Sequence, residues 1–371
     1  MPKVLEVFAP PDGGVAEHVL RLTEGLPSRG WEVEAVASSG SEYVPRLRAL
    51  EITVHELPFT RAVGPADVGI ARRLRAIDRA GGFDVVHAHS SKAGALVRGA
   101  LPRASRFVYT PHCFAFSGDI GRGRAVYRVV ERALLRRTAA LVAASEWERR
   151  EAFEQISAPP ERVRVVYYGT PACAGGPPDA ELAAFAAGRP LAGMISVLRP
   201  QKDPLALVEA AALLRDRGAL DFKVAIVGNG ELRDQVEAEI ERRGLGDDFG
   251  LFPFRGDQHA YLRALDLFVL PSLWESLPIS ITEAMACGVP VLGTHVSGVA
   301  EAVEDGVTGR LVDPHAPEQL ADALAALMSD REALAVQGRA ALAGWERRFR
   351  LEPMYDALTE IYSRVAAGTP I

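Results

Sequence analysis

Short apolar runs alternate with longer amphipathic stretches along this chain, and the rhythm stops once and then restarts. Apolar runs at Val4–Ala9, Glu32–Ala37, Val54–Leu57, Asp84–His87, Phe107–Thr110, Ala140–Ala143 and Val163–Val166 have the length of buried strands. Helical periodicity lies between them, at Ala16–Arg29, Asp67–Ala80, Ala93–Leu101, Arg124–Arg137 and Glu146–Gln155. Residues 171–190 interrupt the pattern with Pro, Gly and Ala. It resumes with strands at Ala192–Val197, Lys223–Val227, Gly250–Phe252, Leu267–Leu270 and Val289–Gly293, separated by further helices. Strand–helix alternation predicts a parallel sheet covered on both faces. The expected fold is therefore α/β, with two doubly wound, Rossmann-like domains at 1–172 and 191–349, a linker at 173–190, and a terminal helix within 350–371. Such sheets bind ligands at the carboxyl ends of their strands, and two facing domains would place the site in the cleft between them.

Bulk properties narrow the partners. The net charge of −6 argues against nucleic acid. Cys113, Cys173 and Cys287 are far apart and form no C-x-x-C, so neither a zinc site nor a disulfide framework is expected, and a reducing cytoplasm fits. The segment Met1–Glu6 is too short and too charged for a signal peptide, and no apolar window is long enough to span a membrane.

The segment Glu275-Ser276-Leu277-Pro278-Ile279-Ser280-Ile281-Thr282-Glu283-Ala284-Met285-Ala286-Cys287-Gly288 follows the strand at Leu267–Leu270. Ser276 reads as an N-cap, Pro278 as a first-turn residue and Gly288 as the residue past the helix end. The amides near 277–279 then lie at a helix start, where partial positive charge favours a diphosphate. Carboxylates accept hydrogen bonds from hydroxyls, so Glu275 and Glu283 flanking that start suit a ligand with hydroxyls on both sides of a diphosphate. A nucleotide sugar has that layout. Arg199 and Lys202, on a loop after the strand at Ala192–Val197, suit phosphate oxygens. Gly13 and Gly14 permit close backbone approach after the first strand. Gly228-Asn229-Gly230 is followed by Arg233 where a dinucleotide fingerprint would carry its third glycine, which disfavours a dehydrogenase. His112 and the pair His87 and His89 follow strands. The latter two are read on alternating faces of one strand, hence not as a metal pair, and no metal site is expected. Arg122–Arg137 places arginines every fourth residue among valines and leucines, a pattern for an anionic membrane surface.

These blocks resemble glycosyltransferase family 4, the retaining enzymes of the GT-B fold, across nearly the whole chain. The stretches Val85–Gly94 and Thr110–Phe116 look like the subgroup that builds exopolysaccharide, capsule and lipid-linked oligosaccharides. The resemblance implies a nucleotide-sugar donor, a UDP-sugar above others, and a hydroxyl acceptor that is a glycan, a lipid-linked sugar or a small molecule. It implies no cofactor and no metal. Glu275 would bind donor-sugar hydroxyls. Ser276, Leu277 and Pro278 would line sugar and diphosphate. Glu283 would bind the ribose and Arg255 the base. Arg199 and Lys202 would neutralise the leaving diphosphate, Gly14 would place an amide near the phosphates, and His112 would align the sugar. The terminal helix would cross back onto the first domain. The family's usual arginine position holds Val197, its Gly-Phe-Gly-Leu is Ser276-Leu277-Pro278-Ile279, and Cys113 replaces a glycine. A sugar-nucleotide epimerase of the same fold, or a non-catalytic nucleotide-sugar binder, would share these features.

Overall fold

The computed structural model describes residues 1–60, 64–102, 106–118 and 123–371. They form two compact units, Met1–Tyr168 with Glu352–Ile371, and Gly169–Leu351. In the first unit, β1 (Lys3–Phe8), β2 (Glu32–Ser38), β3 (Thr53–Leu57), β4 (Val85–His89), β5 (Phe107–Thr110), β6 (Ala140–Ala143) and β7 (Val163–Val165) make one sheet in the order β3-β2-β1-β4-β5-β6-β7. Every pairing is parallel. In the second, β8 (Leu191–Ile195), β9 (Lys223–Val227), β10 (Phe249–Phe252), β11 (Leu267–Leu270), β12 (Val291–Thr294) and β13 (Gly309–Val312) follow the order β10-β9-β8-β11-β12-β13, again parallel.

The central strands β4, β8 and β11 are buried throughout, as parallel strands covered on both faces must be, and apolar but for His87 and His89 of β4. In the first unit, Leu5, Val7, Val36, Val86 and Phe107 pack beneath Leu74 and Val97 from the covering helices. The helix Leu351–Ala366 adds its apolar side to that unit from Glu352 onward. There Tyr355 donates to the Arg21 carbonyl at 2.8 Å. A Cβ on Gly25 would lie 2.2 Å from the Tyr355 ring, so the ring needs a glycine beneath it.

Several elements differ from the sequence reading. β4 runs to His89, because Phe8 on β1 still pairs with it. The helix Tyr43–Ala49 and the strand β13 were not anticipated; each is short, and β13 lies at a sheet edge with its two middle residues at least partly exposed. Within 173–190, Ala180–Ala186 is a helix capped by the Asp179 carboxylate, which accepts from the amides of Glu181 and Leu182 at 3.1 and 3.0 Å. Cys173 and Cys287 form a disulfide, against the expectation of unpaired thiols. Their separation of 114 residues matches no recognisable spacing, so only the fold brings them together.

The helix Gly123–Leu134 is inverted relative to an ordinary surface helix; Arg122 lies outside the described residues. Its buried residue is Glu131, which accepts from Arg98 at 2.8 Å and from the Tyr109 hydroxyl at 3.0 Å. Arg124 and Arg132 turn back onto the protein, donating to the Phe116 carbonyl at 2.6 Å and the Ser157 hydroxyl at 2.5 Å. Val126 and Val129 are 64% and 68% exposed.

In the second unit, the loop after β9 lies directly on the loop after β8. A Cβ on Gly228 would fall 1.9 Å from the Ser196 carbonyl oxygen, and one on Gly230 would fall 2.4 Å from that of Leu198. Backbone bonds lock the two, with Leu198 N–H donating to Asn229 O at 2.8 Å. Arg233 donates to Gly228 O at 2.8 Å and so holds the loop that a third glycine would leave free. This pair of glycines therefore serves backbone packing. Gly228→Ala should destabilise the second unit by about 3 kcal/mol, at the upper end of ordinary overpacking. Urea unfolding of the full chain measures it, and a change under about 0.5 kcal/mol, the size of a neutral surface substitution, would contradict the close packing.

Candidate functional site

β8 has β9 on one side and β11 on the other, so the second sheet reverses direction between β8 and β11. That reversal is where a doubly wound sheet opens a crevice at its carboxyl edge. The loops after these two strands interlock there. Leu273 N–H donates to Gln201 O at 2.8 Å, and the Gln201 side chain donates to Trp274 O at 2.9 Å. Lys202, at the end of a single 3-10 turn, forms an ion pair with the Glu275 carboxylate. Ser272 donates to the same carboxylate at 2.8 Å, and Gln201 reaches it at 3.4 Å. Asp203 closes the loop in the left-handed region, φ 44°, before the helix Pro204–Asp216. Burial raises its carboxyl pKa.

Glu275 and Glu283 are both buried. Glu283, in the helix Ile279–Ala286, accepts from the Gln258 side chain. Ser276 is not the N-cap: Pro278 holds that place, and the Ser276 hydroxyl is buried with no partner. The cause is steric. A Cβ at position 298 would lie 1.6 Å from the Ser276 carbonyl oxygen, so Gly298 lets the helix Ser297–Ala302 press on this backbone and hold it away from the helix axis. The side chains of Leu277 and Pro278 are buried. Arg199 begins the 3-10 turn and is half-buried. Arg255 stands apart, 68% exposed and 3.6 Å from Glu181. The second unit thus joins Lys202 to Glu275. Gln201 and Ser272 were missed by the sequence reading, although both lie in the loops it singled out.

The first sheet reverses between β1 and β4, and polar side chains gather there too. His87 and His89 lie two residues apart on β4, hence on the same face, and their ring centroids are 4.0 Å apart. The expected separation onto opposite faces is therefore wrong, since the pleat has a period of two. Glu6, paired in register with His87 on the neighbouring strand, lies 2.7 Å from His89 Nε2 and accepts from the Tyr362 hydroxyl at 2.8 Å. His89 Nδ1 lies 2.8 Å from His112 Nε2, and His112 Nδ1 lies 2.6 Å from the Tyr168 hydroxyl. His87 is held by Tyr362 at 2.5 Å and by Thr110 at 2.8 Å. Burial sets the charges, raising Glu6 to about 8 and lowering His89 to about 3. His18, His87 and His112 are also held well below the usual histidine range by burial. Burial thus favours the neutral form of each of these groups. Glu6, His18, Tyr168 and Tyr362 carried no local sequence signal.

Gly13 opens the helix Gly13–Gly25 at φ 78°, with nothing within 4 Å of the place a Cβ would take; Gly14 is exposed in the first turn. His112 and Cys113 are both left-handed, at φ 52° and 77°. Two such non-glycine residues in succession are strained and need fixing from outside. The buried Glu148 supplies this, accepting from Cys113 N–H at 2.7 Å and from Ala144 N–H at 2.7 Å.

Residues 181–343 match the family model "Glycosyl transferases group 1", and residues 13–169 match "Glycosyl transferase 4-like domain". A D-inositol 3-phosphate glycosyltransferase of Nocardia farcinica is 31% identical, over 89% of this chain and 80% of that protein. The UDP-Gal:alpha-D-GlcNAc-diphosphoundecaprenol alpha-1,3-galactosyltransferase of Escherichia coli is 29% identical over 67% of each chain. Among solved structures, Anabaena HepE in complex with UDP and glucose superposes with a TM-score of 0.82, at 22% identity over 98% of this chain and 100% of that one. That likeness shows the fold.

Glu148→Gln leaves one of two buried amides facing an NH2 group. It should lower stability by about 2 kcal/mol, the cost of an unsatisfied buried donor. Thermal unfolding of the variant beside wild type checks this, and equal midpoints would mean that Glu148 does not hold the His112–Cys113 turn.

Proposed function

The chain belongs to the group 1 glycosyltransferases, and from that premise we propose that it transfers a sugar from a UDP-sugar to a hydroxyl acceptor with retention of anomeric configuration. One observation carries the reading: the Lys202–Glu275 pair at the reversal of the second sheet, beside the start of the helix Ile279–Ala286. A diphosphate and a sugar make opposite demands. Phosphate oxygens need cations and amides, and sugar hydroxyls need an acceptor. Lys202 and Arg199 would take the diphosphate with the amides at the helix start, and Glu275 would then accept from donor hydroxyls. Glu283 would accept from the ribose, Arg255 would meet the base, and Ser276, Leu277 and Pro278 would line the donor mainly through backbone. Gly13 leaves room on the first unit for a close backbone approach, whereas both ring nitrogens of His112, expected at the sugar, are engaged by His89 and Tyr168.

In the transfer, the acceptor oxygen bonds to the anomeric carbon on the face from which the nucleotide departs. The carbon–oxygen bond to phosphate breaks, and the diphosphate leaves with the electron pair and takes the acceptor proton. Negative charge grows on the leaving oxygen, so fixed cations and helix-start amides stabilise the transition state more than the ground state, and no metal is required. A lipid-linked acceptor is favoured by the exposed Val126, Val129 and Val130, an apolar strip that would enter a membrane surface.

A thermal-shift panel of UDP, GDP, ADP, NAD and UDP-sugars tests the donor. UDP at a hundred times its Kd should stabilise the fold by about 2.7 kcal/mol, and a shift with NAD alone would overturn the proposal. Glu275→Ala should lower turnover by about two orders of magnitude while largely sparing UDP affinity, since a charge-assisted bond contributes about 3 kcal/mol. Lys202→Ala should weaken UDP itself. Steady-state kinetics and UDP titration separate the two, and wild-type behaviour in both variants would disprove the donor site. Val129→Asp should abolish sedimentation with phosphatidylglycerol vesicles without altering turnover on a soluble acceptor. Unchanged sedimentation would exclude the helix as the membrane contact.

A further inference from the structure

We propose that His18, His89 and His112 form a binding site for one divalent transition-metal ion of the zinc class. The three rings come from separate elements at the carboxyl edge of the first sheet. His18 lies on the helix after β1, His89 ends β4, and His112 follows β5. One ligating nitrogen of each lies within 4.8 Å of those of the other two. The His18 ring packs edge-on against both partners, with centroids 5.7 and 5.2 Å away. His18 is 3% exposed, and its Nδ1 has no hydrogen-bond partner. Buried polar atoms are almost always partnered, so this nitrogen asks for a ligand.

The outer contacts fit ligation. An ion would take His89 Nδ1 and His112 Nε2, which now face each other at 2.8 Å. Each ring then carries its proton on the opposite nitrogen. His89 Nε2–H would donate to Glu6, 2.7 Å away, and His112 Nδ1–H to the Tyr168 oxygen, 2.6 Å away. Metal-bound histidines are oriented by just such carboxylate and hydroxyl partners. Three imidazoles without a carboxylate select zinc, copper, nickel or cobalt over magnesium and calcium, which require oxygen. Three protein ligands leave a fourth position open. His112 is partly exposed, which gives an ion access. The adjacent trio Glu6, His87 and His89 also has close ligand atoms, but it is fully buried, and both His87 nitrogens are engaged by Tyr362 and Thr110. No step of the transfer is routed through the ion.

Cobalt titration of the chelator-treated full chain tests the site. The expected result is an intense visible absorption that saturates at one equivalent, is displaced by zinc, and is indifferent to excess magnesium. His18→Phe keeps a ring of similar size and removes the nitrogen, so it should abolish the band. Tyr168→Phe keeps all three ligands and removes an outer partner, so it should weaken binding roughly 10–100-fold. Circular dichroism of each variant reports whether the fold is kept. No visible band in the wild-type chain at saturating cobalt, or wild-type affinity in a folded His18→Phe, would overturn the proposal.

Discussion

A parallel sheet whose first strand has neighbours on both sides must send its chain one way after one strand and the other way after the next. β1 lies between β2 and β4, and β8 lies between β9 and β11. The helices that follow then leave on opposite faces and cannot cover the strand ends between them. Both polar clusters of this protein stand at those two uncovered places. The backbone bends to reach them: Gly13, Ser90, His112 and Asp203, each in a connection or helix start that follows a strand, all have positive φ. Non-glycine residues in that region cost about 1–3 kcal/mol each. The apolar strands beneath, buried on both faces, hold them in place.

The two clusters tolerate burial in different ways. In the first unit, burial removes charge: Glu6 rises to about 8, His89 falls to about 3, and hydrogen bonds run from ring to ring between neutral groups. In the second, Lys202 and Glu275 keep a pairing that Ser272 and Gln201 support. Removing one partner of such a pair leaves the other uncompensated. A ligand that draws Lys202 away must therefore give Glu275 new donors at once. A group with phosphate at one end and hydroxyls at the other satisfies that condition, whereas phosphate alone does not.

The sequence was most informative where residues near in the chain act together. Strand periodicity located β5, β6, β9 and β11 to the residue, because both faces of those strands are apolar. The loops carrying Lys202 and Glu275 were legible from the strand-loop-helix order. What could not be read was set by contacts between distant residues. Ser276 has the right side chain for a cap and the right place in the sequence, yet Gly298, 22 positions later, holds its backbone elsewhere. Glu6 looks like a stray charge in a strand until Tyr362 and His89 reach it. Cys173 and Cys287 meet only because the linker segment returns to the end of the helix Ile279–Ala286.

The helix Gly123–Leu134 carries the same lesson into the surface. Its arginines every fourth residue, among valines and leucines, read as a basic face for an anionic membrane surface. The protein instead anchors it by charge, with Glu131 against Arg98 beneath and arginine side chains folded back to carbonyl and hydroxyl oxygens. Arginine can do this because a long apolar stem carries its donors around the helix. A buried ion pair contributes little net stability compared with apolar packing of the same volume. Most helices in proteins owe their stability to an apolar face packed on the core. Here that face points outward, so a surface that covers Val126, Val129 and Val130 would provide the packing that the rest of the first unit does not.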